Sequence, residues 1–287
     1  MPYDPKTDRF PYPEQTDTHY LPLKKNNGLV FDENYPYVDK SAGFRFKQGL
    51  FRILTAAIGF PVCAIRINLR VKGKKNLRKY KDVLKKGVVS VANHVHMWDY
   101  LAIMSAVFPF KTNILVWDQN IRGENGTLIR LEGGIPVPTD NIRGMNASIE
   151  ASKQVLMDGG WLHIYAEGSM WEWYQPIRPF KTGAAHYALT CDKPILPMAF
   201  SYRENGFFRK LFKCGPSYTL NIGEPIFPDK SKPLAAARDE LTVKCHRAVC
   251  ELAGIDPDSN LYPPLFKNNH RIDYYTDKDG EGYKGSW

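Results

Sequence analysis

Short apolar runs alternate along the chain with segments in which apolar residues recur at helical spacing. Runs of this length, separated by glycine, proline and polar residues, are typical of strands buried on both faces of a sheet. Five of them are GVVSVAN (87–93), TNILVW (112–117), WLHIYAEGS (161–169), KPILPMAFSYR (193–203) and YTLNIGEPI (218–226).

The segments between and after these runs predict helices, which cover residues 100–108, 142–156, 184–190 and 234–252. Pro109 and Gly254 stand just beyond the first and the last of them, where such residues end helices. Strands that alternate with helices predict an α/β fold. We expect a single domain with a largely parallel, mixed central sheet flanked by helices.

The remaining segments have a different character. Residues 1–45 are expected to form an irregular N-terminal extension, and residues 46–70 helices that associate with a membrane. The main domain is expected over residues 71–254, followed by a polar C-terminal tail over residues 255–287.

The expectation of a membrane rests on an uncharged run of 13 residues from Ile53 to Ile65, which Gly59 and Pro61 interrupt. A helix needs about 20 apolar residues to cross a bilayer. The pattern therefore favours a helix, a bend and a second short helix that lie in the membrane interface. A buried core helix with a basic flank is the alternative that the sequence leaves open.

The charge distribution points to an anionic partner. The net charge is +9, and the segment from Arg66 to Lys86 holds ten Lys or Arg residues against one acid, Asp82. An anionic membrane surface fits this basic segment, although a merely solvated face gives the same pattern. No helix-turn-helix, zinc-knuckle or RNP pattern supports nucleic acid as the partner.

The cysteines and the N-terminus indicate the compartment. The five cysteines include no CxxC pair, which argues against a disulfide framework or a zinc ribbon. The first residues, MPYDPKTDRFPYPEQ, lack the apolar core of a signal peptide. We expect a protein on the cytoplasmic face of a membrane, either peripheral or monotopic.

The candidate chemistry lies in one short turn, where the strand ending in Ala92 is followed by Asn93, His94, His96 and Asp99. His94 and His96 are spaced like zinc ligands, but Asp99 comes one residue too late for the HxHxDH pattern of metal-dependent hydrolases. A histidine base needs a carboxylate that fixes its tautomer, and a fold from strand to helix brings His94 and Asp99 together. Asp99 is also placed to act simply as an acid at the start of a helix.

A covalent acyl-enzyme is poorly supported, because no serine or cysteine lies in a GxSxG elbow. The sequence NHVHMWD, residues 93–99, instead resembles the NHxxxxD signature of the glycerolipid or lysophospholipid acyltransferase superfamily. Further blocks follow in the order of that family. They are GGIPVP (133–138), AEGSMW (166–171), RPFKTGAAHYA (178–188), ILPMAF (195–200) and IGEPI (222–226).

The resemblance implies an acyltransferase that moves a fatty acyl group from acyl-CoA or acyl carrier protein to a hydroxyl of a lysophospholipid or related glycerolipid. It implies that His94 is the general base and that Asp99 orients it, with no cofactor and no metal. The substrate-binding residues implied are Gly134, Ile135, Pro136, Glu167, Gly168, Ser169, Lys181 and Pro197. Backbone N–H groups near Gly134 or Gly168 are candidates for stabilising the oxyanion. The alternatives are a metal-dependent hydrolase and the acylation of a head group that lacks phosphate.

Two departures bear on the acceptor. Thr139 and Met170 stand where phosphate-binding relatives usually have arginine. Either Arg143, Arg178 or Lys181 replaces those arginines, or the acceptor head group differs. Aromatic residues crowd the third block, and either line a groove for substrate or pack in the core: Trp171, Trp173 and Tyr174.

A second stretch combines apolar and basic residues. In RENGFFRKLFKCG, residues 203–215, phenylalanines alternate with arginines and lysines. This pattern favours a loop that contacts lipid, with an ordinary basic hairpin as the alternative.

Overall fold

The computed structural model describes residues 26–171, 174, 176–212 and 214–257, together with the backbone of two short strands near the C-terminus. Trp173, Lys213, the first 25 residues and most of the predicted tail lie outside these described residues.

The chain begins with helices and the first edge of the sheet. Its first elements are α1 (Ala42–Leu54), a π-helical turn (Thr55–Gly59), α2 (Phe60–Arg66), β1 (Arg70–Lys72), α3 (Lys74–Lys79), α4 (Lys81–Leu84), β2 (Val88–Val91), α5 (Asp99–Val107), β3 (Thr112–Trp117), α6 (Asp118–Arg122), α7 (Gly126–Leu131) and β4 (Gly134–Val137). The elements that follow are α8 (Ile142–Met157), β5 (Trp161–Ile164), α9 (Gly183–Cys191), β6 (Ile195–Arg203), α10 (Phe207–Leu211), β7 (Ser217–Ile222), α11 (Leu234–Ala253), β8 (Tyr275–Thr276) and β9 (Gly282–Tyr283).

The central sheet has seven strands in the order β1-β7-β6-β2-β5-β3-β4. Every neighbouring pair is parallel except β6 and β7, which run antiparallel. This confirms the expected α/β domain with a largely parallel, mixed sheet. β8 and β9 pair antiparallel apart from it.

Both faces of β2 are buried, which explains its continuous apolar sequence. Val88 and Ala92 belong to the buried cluster that includes Ile103 of α5, whereas Val89 belongs to the cluster that includes Val249 of α11. Successive side chains of a strand point to opposite faces, so α5 and α11 lie on opposite sides of the sheet. The turn after β2 lies at the carboxyl edge of the parallel strands, where open α/β sheets bind their ligands.

The described part of the N-terminal extension is irregular but built into the core. Phe31 and Tyr37 are 1% and 3% exposed. The guanidinium of Arg130 on α7 donates to the carbonyls of Pro36 and Tyr37, at 2.5 Å each. Residues 26–41 are therefore packed against the domain.

The segment Ala42–Arg66 differs from the sequence-based expectation. It forms a continuous 25-residue helix instead of two helices joined by a bend. Pro61 has no N–H to donate, and the π-helical turn just before α2, closed by a bond from Phe60 N–H to Thr55 O, accommodates it without breaking the helix. By length and composition alone, this helix of the described chain could cross a membrane.

Candidate active site

The structure brings the side chains of His94 and Asp99 together. Nδ1 of His94 lies 3.1 Å from Oδ2 of Asp99. His94 follows the end of β2 and Asp99 is the first residue of α5, so the turn between them closes a pair that a continuous helix would separate. The expectation that a strand-to-helix change joins these two side chains is confirmed.

The carboxylate of Asp99 is fixed by more than the imidazole. Its Oδ2 also accepts the backbone N–H groups of Val95 at 2.7 Å and His96 at 2.8 Å. The side chain is fully buried, at the N-terminal end of α5, where a negative charge is stabilised. Asp99 therefore acts both as an acid at a helix start and as the partner of His94, two roles that the sequence treats as alternatives.

The imidazole of His94 stacks on a ring from the next strand. Its plane lies within 5° of that of Tyr165, with ring centroids 3.7 Å apart. With Nδ1 donating to Asp99, the acceptor lone pair is on Nε2. The side chain of His94 is 22% exposed, so a substrate can approach it.

A buried polar network lies behind Tyr165. The ring of His163 packs edge-on against that of Tyr165 at 4.5 Å, and its Nδ1 lies 2.9 Å from Oγ of Ser90. Trp161 Nε1 donates to the same hydroxyl at 2.6 Å. Burial lowers the pKa of His163 to about 3, so this imidazole is neutral. No sequence motif predicts a role for His163 and Tyr165, although their two-residue spacing along β5 and its extension places both on the face of His94.

Asn93 bonds the turn to β6, the other strand that neighbours β2. Its Nδ2 donates to Phe200 O at 3.0 Å, and its Oδ1 accepts Phe200 N–H at 2.7 Å. The side chain is fully buried. Its two hydrogen bonds take the place of backbone hydrogen bonds between β2 and β6 at the point where β2 ends.

The third block holds the backbone of His94. Oε2 of Glu167 accepts His94 N–H at 3.0 Å, and Trp171 N–H donates to His94 O at 3.1 Å. Glu167 is 4% exposed, and burial raises the pKa of its carboxyl, opposed by the nearby guanidinium of Arg178. These contacts place Glu167 behind the histidine, as a residue that positions the turn.

The guanidinium of Arg178 is bonded within this loop, which corrects the expectation that Arg178 replaces a missing phosphate-binding arginine. It is 1% exposed and pairs with Glu167 Oε2 at 3.1 Å. Its Nη1 donates to Ser169 Oγ at 2.6 Å, its Nη2 donates to Ser169 O, and its guanidinium lies 4.2 Å from the ring centroid of Trp171. Ser169 and Trp171 are themselves buried, so these groups form structure beneath the loop.

Gly168 and Lys181 lie together on the same loop. Gly168 has φ +84°, and a Cβ there would lie 2.5 Å from Nζ of Lys181. Its N–H already donates to Tyr165 O at 3.0 Å, which removes it as an oxyanion donor. The hypothesis that backbone N–H groups near Gly134 or Gly168 stabilise the oxyanion stays a prediction for the other N–H groups of these two segments.

The second block forms β4 at the edge of the sheet, with β5 and β3 between it and β2. At about 4.8 Å per strand, β4 lies roughly 14 Å from β2. Glycine at position 134 leaves room for the side chain of Ile129. A Cβ added to Gly134 would lie 2.6 Å from Cγ2 of Ile129. Ile135 is 1% exposed in the core, and Pro136 O accepts Ser148 Oγ at 2.6 Å.

Pro197 lies on the face of the sheet opposite to α5. It pairs with Val91 in the register of β6 on β2. Its ring lies beside Gly223 and Leu252. This position lends no support to a contact with the substrate at His94.

The described residues give no support to the metal-binding interpretation. Among the described residues, no group of three or more His, Cys, Asp or Glu side chains is arranged to hold an ion. Nδ1 of His94 faces Asp99, and Nδ1 of His96 accepts Trp98 N–H at 3.2 Å.

Comparison with known proteins gives a match to a family model and a distant likeness to solved structures. Residues 68–201, slightly less than half of the chain, match the family model described as Acyltransferase. No curated protein matches the chain. Among solved structures, 1-acyl-sn-glycerophosphate (LPA) acyltransferase, PlsC, from Thermotoga maritima is 17% identical, with a TM-score of 0.47 over 75% of this chain and 84% of that one.

The matched segment includes the whole turn from Asn93 to Asp99 and the third block that holds it. Over this segment, the chain is similar to the family described as Acyltransferase.

Proposed function

We propose that His94, held by Asp99, is the general base that activates the hydroxyl of a glycerolipid acceptor. The observation that carries this proposal is the bond of 3.1 Å between Nδ1 of His94 and Oδ2 of Asp99, a carboxylate fixed by two backbone N–H groups. This contact orients the ring and stabilises the imidazolium that forms when Nε2 takes a proton.

The transfer needs no protein nucleophile. The acceptor O–H gives its proton to Nε2 of His94 while its oxygen attacks the carbonyl carbon of a thioester. The C–S bond then breaks, the thiolate of CoA or of acyl carrier protein leaves, and the imidazolium returns the proton to it. An ester of the acceptor remains. The described cysteines do not suggest a covalent route, because four are buried and Cys214 lies in the connection between β6 and β7.

A direct test is to replace His94 by alanine and measure acyl transfer from acyl-CoA to a lysolipid. We expect turnover to fall by about 10²- to 10⁴-fold, since this is the contribution of a positioned base. His186→Ala, on α9 away from the turn, is the matched control and should leave turnover near that of the wild type. Normal turnover of the His94 variant would reject the base.

The acceptor is proposed as a lysophospholipid or a related glycerolipid. Arg178 is buried under the third block, and Arg143 is 79% exposed and 3.5 Å from Glu33, so neither supports a phosphate clamp beside His94. Assays with lysophosphatidic acid, lysophosphatidylglycerol and monoacylglycerol, each with acyl-CoA and with acyl carrier protein, will define acceptor and donor. Acylation of monoacylglycerol alone would favour a head group without phosphate.

We also propose that the helix Ala42–Arg66 associates with a membrane, because its two sides differ. The inner side contacts the domain: Arg52 donates to Thr112 O at 2.8 Å, Thr55 to Glu132 Oε1 at 3.4 Å, and Cys63 lies 3.8 Å from Trp98 O. The outer side carries large apolar residues that are 45–76% exposed, namely Phe46, Leu50, Ile53, Leu54, Ile58, Val62 and Ile65. Such a surface favours lipid over water.

The contacts that Arg52 and Cys63 make with the domain favour a helix axis that lies along the membrane surface. Arg52 and Cys63 touch the domain eleven residues apart, so a helix that crossed the bilayer would take the domain into the hydrocarbon with it. The variant Leu50→Ser/Ile53→Ser/Ile58→Ser is expected to float less with vesicles than Arg45→Ser/Lys47→Ser, which changes exposed basic residues of the same helix. Equal flotation of the apolar variant and the wild type would reject the helix as the attachment.

A further inference from the structure

The connection between β6 and β7 presents a second apolar surface. It contains the short helix α10, and its four large apolar side chains are 62–74% exposed: Phe207, Phe208, Leu211 and Phe212. Three of the four are phenylalanines, which monomeric soluble proteins rarely leave together in water.

The base of this connection is held by side chains. Asn205 Nδ2 donates to the carbonyls of Cys214 at 3.0 Å and Gly215 at 3.1 Å, and Asn205 Oδ1 accepts Ser217 Oγ at 2.7 Å. Ser217 in turn accepts Asn68 Nδ2 at 2.9 Å. The apolar tip is therefore projected on a fixed base and does not fold back over the sheet.

Arg209 joins the connection to the end of the helix Ala42–Arg66. Its guanidinium donates to the carbonyls of Ile65 at 3.3 Å and Arg66 at 3.1 Å, and also to Gly215 O at 3.1 Å. The last carbonyls of a helix have no partner within it, so this bond satisfies them. Ile65 is 76% exposed at this junction. The end of the helix and α10 are thus joined, and each carries exposed apolar side chains.

Basic residues surround the junction. Arg66 ends the helix, Arg70 and Lys72 lie on β1 just after it, and Lys210 lies on α10 itself. The one acid of the connection, Glu204, is 92% exposed and 3.5 Å from Lys210. The net charge around the junction is positive. Anionic lipid head groups attract each basic residue near the membrane surface by roughly 1 kcal/mol.

We propose that α10 and Phe212 form a second membrane contact, which inserts its phenylalanines among the head groups of an anionic bilayer beside the helix Ala42–Arg66. Arg209 fixes the distance between the two contacts. With two attachment points the domain has one orientation on the surface. The carboxyl edge of the sheet, which carries His94, then keeps a constant height above the lipid.

The test compares two triple variants in vesicle flotation. Phe207→Ser/Phe208→Ser/Phe212→Ser removes the apolar tip. Met157→Ser/Phe227→Ser/Leu234→Ser changes apolar residues elsewhere that are 54–60% exposed. With vesicles of phosphatidylcholine and phosphatidylglycerol, we expect the first variant to lose about tenfold or more in partition and the second to match the wild type. Unchanged partition of the first variant would overturn the proposal and leave membrane attachment to the helix alone.

A second measurement uses the natural chain. Cys214 is the exposed cysteine next to the tip, and the other four cysteines are buried, so an environment-sensitive fluorophore can be attached to it. Its emission should shift to the blue when anionic vesicles are added and shift less with phosphatidylcholine alone. An unchanged spectrum would contradict insertion. The same shift in vesicle-free solution, rising with protein concentration, would instead identify a second copy of the chain as the partner.

These readouts do not depend on catalysis. The His94→Ala variant should float like the wild type, and the triple variant at the tip should acylate a short-chain, water-soluble acceptor at the normal rate. A failure of the membrane contact is thereby distinguished from a failure of the proposed reaction.

Discussion

The imidazole of His94 lies flat against the phenol ring of Tyr165, with centroids 3.7 Å apart and planes within 5° of parallel. Asp99 holds the edge of the imidazole, and Tyr165 holds its face. Two contacts at right angles leave the ring little freedom to rotate, so Nε2 keeps one direction. This arrangement makes Tyr165 a positioning residue for the proposed base.

Removing the ring at position 165 should therefore lower activity without abolishing it. Aromatic pairs contribute about 0.5 to 1.5 kcal/mol beyond their buried area, so we expect Tyr165→Leu to reduce kcat about 2- to 10-fold. Tyr165→Phe keeps the stack and should stay close to the wild type. If both variants reduced kcat equally, the hydroxyl and not the stacked ring would be the important group.

Replacing the carboxylate of Asp99 should be far more damaging. Asp99→Asn preserves the shape but loses the charge that stabilises the imidazolium, so we expect kcat to fall by about 10²- to 10⁴-fold. Asp158→Asn is the control, because Asp158 is a surface acid, 52% exposed beside Lys40. Steady-state kinetics at several pH values, with circular dichroism to confirm folding, provide the measurement. A kcat of Asp99→Asn within threefold (about 0.6 kcal/mol) of the wild type would contradict the role of the carboxylate.

The pair of Arg178 and Glu167 should be important for stability. Arg178→Met leaves the carboxylate of Glu167 buried without its cation, which costs about 3 to 5 kcal/mol in the free energy of unfolding. Activity should fall as well, because the same carboxylate holds His94 N–H.

Lys153→Met is the comparison for that variant. It breaks a surface pair with Glu150, whose side chain is 70% exposed, and should cost no more than about 1 kcal/mol. Urea unfolding followed by circular dichroism measures both variants. Equal unfolding free energies of the two variants would show that the buried pair contributes no more to stability than the surface pair.

Acid should destabilise the fold through buried histidines. Burial lowers the pKa of His246 from 6.5 to about 4, so the unfolded chain binds a proton in this range while the folded chain does not. The free energy of unfolding should therefore decrease as the pH falls from 6.5 towards 4, by roughly 3 kcal/mol from this residue. His163, with its pKa of about 3, adds a further loss in the same direction.

The variant His246→Gln tests this assignment, because glutamine keeps a donor for Ile177 O but does not titrate in this range. Its unfolding free energy, measured by urea titration at each pH, should decline less steeply with acid than that of the wild type. Identical slopes would mean that other groups control acid unfolding.

Local patterns predict the part of this protein that depends on neighbours in sequence. The turn from His94 to Asp99 is predicted because an apolar strand, a short polar segment and an apolar helix follow one another within twenty residues. α8 is predicted to follow Asn141, whose side chain does accept the N–H groups of Arg143 and Gly144. β4 was not predicted, because its sequence GIPV contains a proline, which the sheet tolerates at an edge strand.

Contacts between distant segments explain the errors. Arg178 was a candidate for binding phosphate, since a sequence shows its charge but not its burial beneath Trp171. The segment Ala42–Arg66 was expected to bend, whereas a π-helical turn and contacts with α5 keep it continuous. The role of Arg209 depends on carbonyl groups more than 140 positions away in the chain.

The sequence alone determined the α/β class, the order along the chain of five strands and four helices, and the proximity of one histidine to one acid, because each depends on periodicity or on spacing within a single turn. Only the tertiary structure decided which groups surround that pair. His163, Tyr165 and Glu167 reach His94 or its turn from β5 and the loop after it, and Asn93 bonds the turn to Phe200 of β6. Both strands are adjacent to β2 in the sheet but far from it in sequence, and burial then decides which charges remain available to a substrate.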